Sequence, residues 1–177
     1  FRRVLFRSAV ANMSLGGGLS TTLDAAVRNS IADGVVYCVA AGNSAANVST
    51  SSPADVAEAI TVAASDQTDT FASFSNFGTG VDIIAPGVNI TSDWFTSTTA
   101  TNTISGTSMA TPHVTGAAAL YLAANPTATP AAVQTALTGA ASLNQIKLVP
   151  TGTVNKLLLD RKSTRLNSSH ANISYAV

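Results

Sequence analysis

Residues 35–40 read Val-Val-Tyr-Cys-Val-Ala, an apolar run that no charged residue interrupts and that three valines enrich in β-branching. A strand apolar on both sides needs cover on both faces, which is the condition of an interior strand in a parallel sheet. The preceding residues fit that role. Residues 9–15 carry a short strand pattern closed by Gly16-Gly17-Gly18. Ser20 stands where a helix N-cap is wanted. Leu23, Ala26, Val27, Ser30 and Ile31 follow at helical spacing, and Gly34 is placed to end the helix. Strand, helix, strand in that order predicts a crossover unit and a three-layer α/β fold with a mostly parallel central sheet.

The pattern continues along the chain. Residues 59–64 and 81–85 are further short strands, the second stopped by Pro86-Gly87. Residues 42–53, rich in Ser, Asn and Ala, read as a surface loop, and residues 91–103 as a polar hairpin or loop. Residues 108–124 carry Val114, Ala117, Ala118 and Tyr121 on one helical face. Thr129-Pro130 starts another helix, with proline at the first position and Val133, Ala136 and Leu137 inward. Hydrophobic residues make up 46% of the 177 and charged residues 10%, so a core can form and a charged, disordered body is excluded. Residues 9–159 hold three bases against eight acids, and no basic cluster offers itself to nucleic acid. No apolar run approaches the ~20 residues of a membrane span. Residues 1–8 and 160–177 differ in composition from the rest and are read as non-native ends around a single domain, 9–159. Cys38 is the only cysteine; it is a buried apolar residue or the partner of a cysteine outside this chain.

Three segments can carry chemistry. In Gly106-Thr107-Ser108-Met109-Ala110-Thr111-Pro112-His113-Val114, a serine follows a glycine turn and opens a long apolar helix. The unpaired N–H groups and partial positive charge of a helix start would stabilise an oxyanion there. A serine at that place is equally an ordinary cap. In Ala40-Ala41-Gly42-Asn43-Ser44, a side-chain amide lies just beyond a strand end, where parallel sheets bind ligands, or simply makes a turn. Ser14-Leu15-Gly16-Gly17 ends a strand whose edge could pair with a peptide.

Taken together and in order, GTSMATPHV, CVAAGNS, MSLGG, SFSNFG, VDIIAPG and GTVN resemble the landmarks of the subtilases, nearest to the proteinase K and aqualysin branch, from about residue 9 to about residue 159. The resemblance implies a subtilisin-like fold present as its C-terminal portion, and a secreted serine endopeptidase. Ser108 would be the acylated nucleophile. Asn43 would donate its amide to the oxyanion beside the Ser108 N–H. Ser14, Leu15 and Gly16 would form one wall of the pocket for the residue before the scissile bond, and Ala40, Ala41 and Gly42 the other. Small uncharged walls imply a broad preference for apolar or aromatic side chains. The resemblance also implies a structural Ca²⁺ site on Asp82 with the carbonyls of Ala57 and Ala59. It implies polypeptide substrates, a propeptide or proteinaceous inhibitor as further partners, and a monomer when complete. The disulfide of aqualysin-like members would join positions that here are Val48 and Gly80, so it is absent.

The residues that should activate Ser108 are not in the chain. Its histidines are His113 and His170. His113 lies five residues beyond Ser108, ~140° around and ~7.5 Å along one helix, too far to reach the hydroxyl; the resemblance makes it structural. The family's Asp and His motifs precede everything seen here, so the chain as it stands is expected to be inactive. A non-catalytic binding protein on the same fold is the alternative, and a retained upstream Asp and His would decide against it. An esterase of another fold would show G-x-S-x-G, which is absent. N-x-Ser/Thr sequons stand at Asn12, Asn47 and Asn89, the first expected to be buried in its strand.

Overall fold

The computed structural model describes residues 9–159; the expectations placed on 1–8 and 160–177, His170 included, lie outside them. In chain order the elements are β1 (Val10–Met13), β2 (Gly17–Gly18), α1 (Thr21–Ala32), β3 (Val36–Ala40), a 3-10 turn Val48–Thr50, β4 (Ser51–Ser52), β5 (Ile60–Ser65), β6 (Ile83–Pro86), β7 (Ile90–Asp93), β8 (Thr101–Ile104), α2 (Thr107–Ala124), α3 (Pro130–Ala140), β9 (Ser142–Leu143) and β10 (Lys156–Leu157). The main sheet runs β1-β3-β5-β6-β10-β9. Every pairing in it is parallel except β10 with β9.

Period-two alternation turns one face of β3, β5 and β6 to α2, the other face of β3 to α1, and the other face of β5 and β6 to side chains outside the α-helices, among them Val48, Phe71, Val81 and Ile146. From β3, β5 and β6, the side chains Val36, Cys38, Ile60, Val62, Ala64, Ile83 and Ala85 pack with Ala110, Val114, Ala118 and Leu122 of α2 and Val133 of α3. On the opposite face Val39 meets Val27 and Ile31 of α1. Full burial of a side chain of this size stabilises by roughly 1.5–3 kcal/mol, and all six residues of β5 are buried.

Local signals set the helix ends. The Ser20 side chain accepts from Leu23 N, and Thr129 caps α3 with Pro130 as its first residue. Gly34, at φ +102°, follows α1, a left-handed position that glycine takes without a steric cost. Four expectations need correction. Ala26 is exposed; the buried face of α1 is Val27, Ile31 and, unexpectedly, Asp24, whose carboxylate accepts from Ser52 Oγ at 3.0 Å. Residues 42–53 are not merely a surface loop, because Val48 is 1% exposed and β4 pairs antiparallel with β2. The first strand stops at Met13, which leaves Ser14 to Gly16 outside any strand. Asn12 is exposed, because β1 is the outermost strand of the sheet, although its side chain lies on the α2 face and accepts from Thr115.

Candidate active site

β3 ends at Ala40 and the chain turns away through Gly42, at φ +104°. A side chain there would be strained and would run into the carboxamide of Asn76. Asn76 is 1% exposed and holds the whole turn. Its Oδ1 accepts from Ser44 N and Ala46 N, both at 3.0 Å, and its Nδ2 donates to Ala41 O at 2.8 Å. The turn in turn presents Asn43. Thr107 N and Thr107 Oγ1 donate to Asn43 Oδ1 at 2.8 and 2.9 Å, while Gly42 N–H donates to Thr107 Oγ1 at 3.1 Å. A backbone N–H can only donate, so the oxygen of the carboxamide is the atom facing Thr107. Asn43 Nδ2 is left without a hydrogen-bond partner among the described residues.

The start of α2 completes the arrangement. Gly106 is the N-cap and ties back to Gly87 O through its N–H at 2.8 Å. Ser108 is therefore the second residue of the helix and not its cap. A helix start leaves N–H groups unpaired. Here Thr107 N is taken by Asn43, and Met109 N and Ala110 N by Gly106 O. Ser108 N–H remains unengaged among the described residues, like Asn43 Nδ2. Ser108 Oγ is half-buried and donates to Ser14 O at 3.1 Å.

Ser108 and Asn43 open onto one cavity of about 530 Å³, in the range typical of ligand pockets. Leu15 and Gly16 line one side of it and Ala40, Ala41 and Gly42 another; Thr50, Ser51, Ser52 and Ala54 add a hydroxyl-rich end. No lining residue is charged. Ser14, expected on the first wall, does not line the cavity; its hydroxyl donates to Ser108 O at 2.7 Å instead. Sequence reasoning missed Thr107 and Asn76. SFSNFG was visible as a landmark, but nothing local shows that Asn76 serves backbone groups about thirty residues away.

The positions proposed for calcium are arranged differently from a cation site. Asp82 Oδ2 accepts from Thr61 N at 2.8 Å and Oδ1 from Gln134 Nε2 at 3.0 Å, and the same Nε2 lies 3.5 Å from Ala59 O. Ala57 is exposed in the turn before β5. The oxygens suit a hard cation, but an amide donor already sits between two of them, so an ion does not fit unless Gln134 moves. Burial pushes the Asp82 carboxyl up to about 6, against the pull of its two hydrogen bonds. His113 is 6% exposed with Nδ1 2.9 Å from Met109 O, so that nitrogen carries the proton; burial holds its pKa below the ordinary value. Cys38 is buried and free, its thiol pushed up to about 12 by burial. Val48 and Gly80 adjoin, since a Cβ on Gly80 would lie 2.9 Å from Val48 Cγ2. No described helix is long and apolar enough to cross a membrane.

The model of the subtilase family matches residues 5–171. The chain is a subtilase. This subtilase is 61% identical over 141 residues to an extracellular serine proteinase of Thermus sp. (strain Rt41A), which covers 80% of the chain and 34% of the relative. It is 49% identical over 150 residues to alkaline serine exoprotease A of Vibrio alginolyticus, covering 85% and 28% respectively. The crystal structure of a cold-adapted subtilisin-like serine proteinase superposes with a TM-score of 0.81 at 49% identity, over 85% of this chain and 55% of the other. The fold expectation is thus met, and the chain spans about a third of the length of these curated relatives.

Proposed function

We propose that Ser108 is the nucleophile of a secreted serine endopeptidase and that Asn43 Nδ2 and Ser108 N–H form its oxyanion hole. The observation that carries this reading is the pair of unengaged donors at one mouth of the cavity, left over after Thr107 has fixed the Asn43 oxygen. In the reaction, Ser108 Oγ attacks the carbonyl carbon of the scissile peptide. A base takes the Ser108 hydroxyl proton, the carbonyl oxygen becomes an oxyanion in reach of the two N–H groups, and collapse of the intermediate returns that proton to the departing amine and leaves an ester on Ser108. The uncharged cavity walls support apolar or aromatic side chains before the scissile bond. Polypeptides are the substrates, and a propeptide or proteinaceous inhibitor would occupy the same cleft. A structural Ca²⁺ on Asp82 with the carbonyls of Ala57 and Ala59 would require Gln134 to leave the space between the Asp82 carboxylate and the Ala59 carbonyl.

The proton acceptor and the acid that orients it are assigned to sequence upstream of this chain, so the chain alone is expected to be inactive. The test restores the upstream coding sequence and treats the whole protein with a fluorophosphonate. Labelling on Ser108, abolished in Ser108→Ala, is expected. Labelling of another residue would sink the assignment, and an upstream region without Asp and His would favour a binding protein on the same fold.

A further inference from the structure

We infer that Ser14 is a positioning residue for Ser108, acting through a backbone carbonyl that Pro112 leaves without a helical partner. The inference rests on the nucleophile proposed above. In a helix the carbonyl of residue 108 accepts the N–H of residue 112. Residue 112 lies inside α2 and is proline, which has no N–H. The Ser108 carbonyl is therefore orphaned in the first turn, where the reacting side chain must be held still. Ser14 Oγ fills the gap at 2.7 Å, from 94 residues away, and Ser108 Oγ returns a hydrogen bond to Ser14 O at 3.1 Å. The two serines exchange hydroxyl for carbonyl, which ties the end of β1 to the first turn of α2.

Ser14 is itself aligned. Asn12 Nδ2 donates to Ser14 Oγ at 3.0 Å, and Thr115 Oγ1 donates to Asn12 Oδ1 at 2.9 Å. Because Oγ already accepts from Asn12, its single proton is directed to the Ser108 carbonyl. Thr115 lies on α2, so the path leaves the helix, crosses β1 and returns to the same helix two residues beyond His113. This gives the exposed Asn12 side chain on the edge strand a partner at each end. It also gives the proline a consequence: its missing N–H hands control of the first turn to a residue outside the helix.

The experiment uses the complete protein with its upstream sequence restored. Peptide hydrolysis and the rate of fluorophosphonate acylation are measured for wild type, Ser14→Ala, Ser14→Thr, Ser14→Val, Pro112→Ala and Ser14→Ala/Pro112→Ala. Losing one hydrogen bond at the first turn should lower kcat and the acylation rate about tenfold, with KM little changed. Thr and Val have the same shape, so Ser14→Thr should keep activity and Ser14→Val should lose it even if Ser14→Ala folds poorly. In the Pro112→Ala background the helix regains an N–H for the Ser108 carbonyl, and removing the Ser14 hydroxyl should then cost less than about threefold. Wild-type-like kcat in Ser14→Val, in an active protein, overturns the inference. An undiminished Ser14→Ala effect in the Pro112→Ala background overturns the link to proline. A wild type that neither cleaves nor labels instead brings down the nucleophile assignment itself.

Discussion

β5 and the turn at residues 41–46 lie side by side and are stabilised in opposite ways. Each residue of β5 is buried, and Ile60, Val62, Ala63 and Ala64 sit among apolar core side chains, so its position is set mostly by area removed from water. The turn offers little apolar surface; Asn43, Ser44 and Ala45 are exposed. Its shape comes from one buried carboxamide, Asn76, and one hydroxyl, Thr107, which between them satisfy four backbone groups. Burial is graded and forgiving, because a lost methylene leaves the rest of the core in place. Hydrogen bonds to a turn are directional, so losing one moves an atom. The sheet decides whether the molecule folds, and the turn decides whether Asn43 Nδ2 faces Ser108.

The comparison can be tested in the complete protein. Asn43→Ala should break the pairing most visibly. It should reduce kcat by roughly 10²–10³, the size seen for this kind of donor in a subtilisin, while the melting temperature stays near wild type. A parallel loss of stability would show that Asn43 belongs with the framework. Next comes Asn76→Ala, which strands two N–H donors and a carbonyl. Denaturant unfolding should show a loss of about 3 kcal/mol, and the folded fraction should have lower specific activity.

The Asp82 carboxyl tests a buried polar group under the sheet itself. Its folded pKa of about 6 exceeds the ordinary 3.8, so the neutral form is favoured by folding. That contribution is present below pH 3.8 and is lost as pH rises through 6. The loss should be on the order of 1–3 kcal/mol, and Asp82→Asn should flatten it in unfolding curves recorded between pH 4 and 7. The smallest effect is expected from Ile83→Val in the core. It should cost about 1 kcal/mol and leave the activity of folded molecules unchanged. A change in kcat there would mean that the sheet and the turn are not separable.

The same division explains what could be read in advance. Val35 to Ala40 announced an interior strand because burial on both faces leaves a continuous apolar run. Ser20 and Thr129-Pro130 announced helix starts because a cap bonds within three residues. GTSMATPHV and CVAAGNS marked Ser108 and Asn43 as a pair. The grip of Thr107 on Asn43, 64 residues away, was not legible. Neither was the grip of Asn76 on the turn, since a polar side chain does not advertise which distant backbone it will meet. Asn12 was misplaced because its burial depends on where β1 sits in the sheet order, which local pattern does not encode.

One detail of the two serines has a chemical corollary. In the resting molecule the hydrogen of the Ser108 alcohol lies on the carbonyl of Ser14. An ester oxygen carries no hydrogen, so loading an acyl group onto Ser108 would vacate that carbonyl. It would then be a free acceptor beside the bound chain, available to any amide N–H the chain presents. The unacylated chain keeps this latch closed with its own alcohol, and acylation of Ser108, the step proposed above, would release it.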